Sequence, residues 1–261
     1  MTIESLDLAG RTAVVTGAAR GIGLAACRRL LAEGCNVVGF DLPGSDFAAL
    51  DELKVEFPEK LERFGGSVAS PEDWTNALAE TLKAFGKADI LFNNAGIPGP
   101  TRGPLGLPID DFDQVMSVNV RGVFLGMQTI GRQMKQDGGG VIINVSSISG
   151  ERGGGDVFAY TTSKHAVNGM TKSAAVTLAR HKIRVLAISP CPIGTDMIFS
   201  LEQKLAPDNP AAVRETIAAG IPMKRYGKPE EIADLVAFLA SDRASFMTGA
   251  CIPIDGGTLA N

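Results

Sequence analysis

The chain has 261 residues, 45% of them apolar and 21% charged, which excludes a disordered polypeptide and leaves enough chain to bury one large core. With 25 Lys and Arg against 29 Asp and Glu, the net charge is −4. An acidic chain without a basic run is unsuited to gripping nucleic acid or an anionic membrane face. Its apolar runs, such as residues 235–240, are far too short to span a bilayer. The opening Met1-Thr-Ile-Glu-Ser5 has no secretion-signal pattern, so the expected location is cytoplasmic. Cys27, Cys35, Cys191 and Cys251 are scattered without a C-x-x-C pair and read as free, buried residues. With only His165 and His181 present, no metal site is expected.

In chain order, residues 12–16 read as a buried strand, followed by a helix from about 22 to 34 and a second strand over 36–40. A helix begins near Pro71, a strand covers 88–92, and a long amphipathic segment runs from 109 to 136. Strands over 141–145 and 183–188 are separated by a helix from about 158 to 180. Pro229 opens a helix ending near Ala240, and 251–254 is a last short strand. Continuously apolar strands alternating with helices predict an α/β fold: one doubly wound, Rossmann-type domain over 1–261, its parallel sheet covered by helices on both faces. Such a sheet binds ligands beyond the carboxyl ends of its strands, where the strand order reverses.

The first strand runs into Thr16-Gly-Ala-Ala-Arg-Gly-Ile-Gly23. Gly17, Gly21 and Gly23 allow a tight turn that approaches a pyrophosphate, and Arg20, Gly21, Ile22 and Gly23 open a helix whose N-terminus favours that charge. Asp41 ends the second strand, eighteen residues after Gly23. Its carboxylate suits the two adenosine ribose hydroxyls and repels the 2′-phosphate of NADP. Arg20 pulls the other way, since a guanidinium in this turn pairs with that phosphate. The repulsion by Asp41 is direct, so NAD is expected in preference to NADP.

From Arg11 to Gly257 the chain resembles the short-chain dehydrogenase/reductase family. The likeness is carried by the glycine turn, Asn93-Asn-Ala-Gly96, Ser117-Val-Asn-Val120, Asn144-Val-Ser-Ser147, Tyr160-Thr-Thr-Ser-Lys164 and Ile254-Asp-Gly-Gly257. The resemblance implies an oxidoreductase in which Asn119, Ser147, Tyr160 and Lys164 form the catalytic set. Ser147, with Ser146 and Ser149 as neighbours, would bond the substrate oxygen, and Asn119 would hold a water between Lys164 and solvent. It further implies that Asn94, Ala95 and Gly96 lie beside the inner ribose, that Val68 packs on adenine, and that Ile193 and Thr195 contact the carboxamide. Two departures stand out: Ser67 precedes Val68 where the family often has Asp, and Cys191 follows Pro190 where it often has Gly.

The residues themselves support the same chemistry. Tyr160 and Lys164 are four apart and share one helix face. A phenol titrates near about 10, too high for neutral-pH acid/base work. An ammonium at about 4 Å, worth about 4 kcal/mol at an effective dielectric of 20, is expected to lower it by two or three units.

Residues 196–225 are expected to form a substrate lid. They offer Met197, Ile198, Phe199, Leu201, Leu205, Ile217, Ile221 and Met223 without clustered arginines, which favours an apolar ligand. Segments 120–126 and 223–232 resemble those of members acting on cyclic ketones and alcohols. The expected activity is therefore hydride transfer between NAD(H) and a small-molecule secondary alcohol or ketone, apolar or cyclic. The alternative is an NADPH-dependent 3-oxoacyl-carrier-protein reductase. Helices near 109–136 and 158–180 resemble the family's dimer helices. Gly122, Gly126, Ala166, Gly169, Ala174 and Ala175 are expected to let them approach closely in a homotetramer.

Overall fold

The computed structural model describes residues 6–260. Seven parallel strands form one sheet in the order β3-β2-β1-β4-β5-β6-β7. They are β1 (Thr12–Thr16), β2 (Asn36–Asp41), β3 (Leu61–Gly65), β4 (Ile90–Asn93), β5 (Gly140–Val145), β6 (Ile183–Pro190) and β7 (Cys251–Ile254). The order reverses between β1 and β4, so the strand tips on either side of that step open a crevice.

Successive strand residues enter opposite layers. Ala13 and Val15 join a core with Leu30, Phe92 and Val236, whereas Val14 joins Phe40, Trp74 and Ile130. Both sides being buried is why the strands show no polar alternation. The first layer is covered by α1 (Gly21–Ala32) and α9 (Pro229–Ala240), the second by α3 (Pro71–Phe85), α5 (Gly122–Asp137) and α6 (Phe158–Leu178). Helix α3 shows local control of its ends: Ser70 Oγ accepts from Asp73 N at 3.1 Å, Pro71 occupies the first turn, and Gly86 leaves the helix at φ 76°.

The parallel sheet and the alternation of strands with helices follow the sequence reading. Two elements carry no apolar run to announce them. Edge strand β3 reads Leu-Glu-Arg-Phe-Gly, and α2 (Ala48–Glu56) buries only Leu50 and Leu53. The segment expected as one helix over 109–136 is divided into α4 (Ile109–Met116), a π-helical turn (Ser117–Arg121) and α5. Gly122 and Gly126 do not face outward as expected. A Cβ on Gly122 would lie 2.9 Å from Val68 Cγ2, and one on Gly126 would lie 2.8 Å from the Trp74 ring. Both glycines let α5 press onto its own subunit's core, as does buried Ala175, while Gly169 opens outward.

Candidate active site

The glycine turn lies at the tip of β1. Gly17 (φ 65°) and Gly21 (φ 56°) adopt left-handed backbone, and a Cβ on Gly23 would lie 1.9 Å from Gly17 O, so no other residue fits there. No side chain caps the N-terminus of α1, leaving its amide dipoles for an anion. Asn94, expected beside the inner ribose, also braces this turn: its Nδ2 donates to Thr16 O (2.9 Å) and Gly17 O (3.2 Å). Thr16 Oγ1 accepts from both Asn94 N (2.9 Å) and Ala95 N (3.0 Å). Thr16 ends a strand, and sequence reasoning passed over its hydroxyl for that reason.

Asp41 closes the adenosine side. Its Oδ2 accepts from Ala19 N at 2.9 Å, and its Oδ1 from Leu42 N and Ser45 Oγ, each at 2.8 Å. The carboxylate is fixed against the turn, yet Oδ2 keeps a lone pair for a hydroxyl. Arg20 lies across the cleft mouth, 3.8 Å from Asp196 with both side chains exposed. Val68 is largely buried against Gly122, and the Ser67 hydroxyl accepts from Ala69 N. On the other side Thr195 Cγ2 would lie 3.3 Å from a Cβ on Gly21, and Thr195 Oγ1 donates to Ile193 O. Glycine cradle, open helix terminus and fixed carboxylate together fit a dinucleotide.

The four residues expected to act together come from three elements. Asn119 sits in the π-helical turn and is fully buried. Its Oδ1 accepts from Ile97 N (2.8 Å) and its Nδ2 donates to Ile97 O (2.9 Å) and Ser163 Oγ (3.1 Å). A Cβ on Gly96 would lie 3.2 Å from Asn119 Oδ1 and 3.6 Å from Lys164 Nζ. Gly96 thus keeps the amide and the ammonium within reach of one small molecule such as water. Ser147 caps the turn after β5, its Oγ accepting from Ser149 N at 3.1 Å. That position separates it from Ser146, whose hydroxyl donates to Lys164 O, and from Ser149, which contributes its backbone.

Tyr160 and Lys164 project from one face of α6, with Nζ 5.4 Å from the Tyr160 ring centroid. Lys164 is 3% exposed, its Nζ donates to Val145 O at 2.8 Å, and burial lowers its pKa to about 8. The expectation that Lys164 depresses the tyrosine is not met in this structure. Burial pushes the Tyr160 phenol up, and only the Ser147 side chain that faces it acts the other way. Nζ lies 5.4 Å from the ring centroid and donates to Val145 O, and no lowering by Lys164 offsets that desolvation.

Cys191 fills space: with Ile148 and Ile221 it forms a small core, backed by Tyr226 and Leu259. The segment that follows forms α7 (Asp196–Leu205), which exposes Met197, Phe199 and Leu205, and α8 (Pro210–Gly220). Sequence reasoning missed what joins these helices. Glu202 has no exposed surface, and Arg214 donates to its Oε2 from Nε (3.1 Å) and Nη2 (2.8 Å) while stacking 4.5 Å over Phe199. Arg214 holds the Glu202 carboxyl below its usual value. That stabilisation is present above the ordinary carboxylate pKa near 4.5 and is lost as pH falls through the lowered one. Arg214→Ala is expected to lower the melting temperature at pH 7, with the difference from the unsubstituted protein shrinking in acid as Glu202 is protonated. Thermal melts across pH check it, and a pH-independent difference would contradict the ion pair.

A family profile described as enoyl-(acyl carrier protein) reductase matches residues 17–258. Levodione reductase of Leifsonia aquatica is 37% identical over 250 residues, covering 95% of this chain and 93% of the relative. The crystal structure of levodione reductase superposes at a TM-score of 0.93 with 35% identity, covering 97% of this chain and 98% of that one. That of 3-ketoacyl-(acyl-carrier-protein) reductase from Brucella melitensis, complexed with NADH, gives 0.87 with 31% identity, covering 97% and 99%.

Doubly wound sheet, glycine cradle and relatives define an oxidoreductase of the nicotinamide-dependent class. The chain belongs to the short-chain dehydrogenase/reductase family. No helix among the described residues is long and apolar enough to cross a membrane.

Proposed function

We propose that the protein is a cytoplasmic, NAD-dependent dehydrogenase of apolar, cyclic secondary alcohols, running equally as a ketone reductase. The observation that carries this reading is the Tyr160 hydroxyl facing Ser147 on the face of α6 that holds Lys164. When bound, the nicotinamide ring supplies or accepts the hydride. In reduction Tyr160 Oη donates its proton to the carbonyl oxygen, and Ser147 Oγ–H donates a hydrogen bond to the same oxygen as charge develops there. Lys164 Nζ returns a proton toward the phenol, and Asn119 Oδ1 orders the water that resupplies it. In oxidation the same groups carry the proton outward. Burial favours the protonated phenol, so in reduction the proton is in place on Oη to be given.

Asp41 supports NAD, with Gly17, Gly21, Ile22 and Gly23 on the pyrophosphate, Ala95 and Gly96 beside the inner ribose and Thr195 and Ile193 at the carboxamide. Residues 196–225 act as the lid. Its exposed Met197 and Phe199 and the Ile148–Cys191–Ile221 floor favour an apolar ring, in keeping with the likeness to levodione reductase. Oxidation of a panel of cyclic and linear secondary alcohols with NAD, followed at the NADH absorbance, tests the reading. Turnover of cyclic members supports it, and turnover of none opposes it. Exposed Arg20 and the likeness to 3-ketoacyl-(acyl-carrier-protein) reductase favour a second reading, an NADPH-dependent 3-oxoacyl-carrier-protein reductase.

We also propose a homotetramer. A groove of about 520 Å³ between α4, α5 and α6 is lined by Met116, Val120, Phe124 and Met170, an apolar surface suited to a second copy. Analytical ultracentrifugation at micromolar concentration is expected to give the tetramer mass; a monomer would refute it.

A further inference from the structure

The turn that carries Ser147 is clamped from behind by a side chain outside the catalytic set. Asn168 lies one helical turn beyond Lys164 on α6 and is 5% exposed. Its Nδ2 donates to Gly150 O at 2.9 Å and to Glu151 Oε1 at 2.8 Å. Glu151 Oε1 also accepts from Ser189 Oγ of β6 at 3.4 Å. Gly150 ends the short 3₁₀ turn whose cap is Ser147, and Gly150 N donates to Ser147 O at 2.8 Å. A Cβ on Gly150 would lie 2.5 Å from Ser146 Oγ, 2.9 Å from Lys164 O and 3.0 Å from Asn168 Nδ2. Turn and helix are pressed together at this point, and the Asn168 amide bonds across the seam.

We infer that Asn168 is a positioning residue that aims the Ser147 hydroxyl. Ser147 Oγ accepts from Ser149 N, which leaves its O–H and a second lone pair for the substrate oxygen and the phenol. Their direction holds only while residues 147–150 keep their shape. Without the Asn168 amide, the buried Gly150 carbonyl loses its side-chain donor and the turn relaxes away from α6. A displacement of about 1 Å at a reacting group costs about a hundredfold in rate. The inference rests on the role of Ser147 proposed above.

A four-member cycle tests it: the unsubstituted enzyme, Asn168→Ala, Ser147→Ala and the double variant, each measured for kcat with NAD and for NADH affinity. Asn168→Ala is expected to lower kcat by about 10- to 30-fold, part of the cost of full misplacement, with NADH affinity within about twofold. In the Ser147→Ala background the same change is expected to alter kcat by less than about twofold, because residues acting as a unit are not additive. An undiminished loss in that background overturns the inference alone, since Asn168 then acts elsewhere. Unchanged kcat in Ser147→Ala itself removes the proposed role of Ser147 and the inference with it. If Asn168→Ala does not fold, Glu151→Ala removes the outer, exposed half of the clamp. Its smaller loss, about threefold on the same argument, is expected to disappear in the Ser147→Ala background. Persistence of that loss overturns the inference.

Discussion

Replacing Tyr160 by Phe is expected to lower kcat by about a thousandfold or more, within the range of a lost general acid/base, while NADH affinity stays within about twofold. The ring remains in place beside Ser147 and Lys164, and only the hydroxyl that hands a proton to the carbonyl oxygen is gone. Lys164 Nζ, held by Val145 O, acts on the substrate oxygen only through that hydroxyl. The chain has only one other tyrosine, Tyr226, which lies at the floor behind Cys191. Steady-state kinetics together with NADH fluorescence titration separate the two effects. Equal turnover in the variant would mean that the proton comes from another group.

The second large effect concerns the cofactor. The enzyme is expected to prefer NADH to NADPH by at least about tenfold in kcat/KM, because the Asp41 carboxylate meets the 2′-phosphate at close range. Asp41→Asn keeps the side chain's shape and an oxygen able to accept from Ala19 N, while removing the charge. It is expected to shift the ratio toward NADPH by about 10- to 100-fold, the equivalent of about 1–3 kcal/mol of removed repulsion. Exposed Arg20, 3.8 Å from Asp196, is then no longer opposed by a carboxylate at position 41 in favouring the phosphate. A preference for NADPH in the unsubstituted enzyme would instead support the carrier-protein reductase reading.

The sheet was legible because burial on both faces leaves its mark in the strands themselves: Val14, Val15, Leu91 and Phe92 are apolar whichever layer they enter. Strand β3 was not, since at a sheet edge Glu62 and Arg63 reach solvent and the run is broken. The four-residue spacing of Tyr160 and Lys164 fixed their shared face, because helix geometry alone decides it. The phenol's pKa was not legible. It depends on the distance and on how far the hydroxyl is desolvated, and burial raised it where proximity to the lysine had suggested the reverse.

Asn119 was marked by the motif Ser117-Val-Asn-Val120, and a π-helical turn holds it, but its bonds to Ile97 join segments 22 residues apart. Glu202 and Arg214 gave no signal, being 12 residues apart on different helices. Gly122 and Gly126 misled for a related reason. Small residues mark close approach without saying to what, and here it is Val68 and Trp74 of the same chain.

The most direct test of hydride transfer uses a cyclic secondary alcohol that the enzyme oxidises, deuterated at its carbinol carbon, incubated with NAD. Mass spectrometry of the reduced dinucleotide is expected to find the deuterium on the nicotinamide ring, with none released to water. Ketone formed while the label appears in solvent would contradict the account.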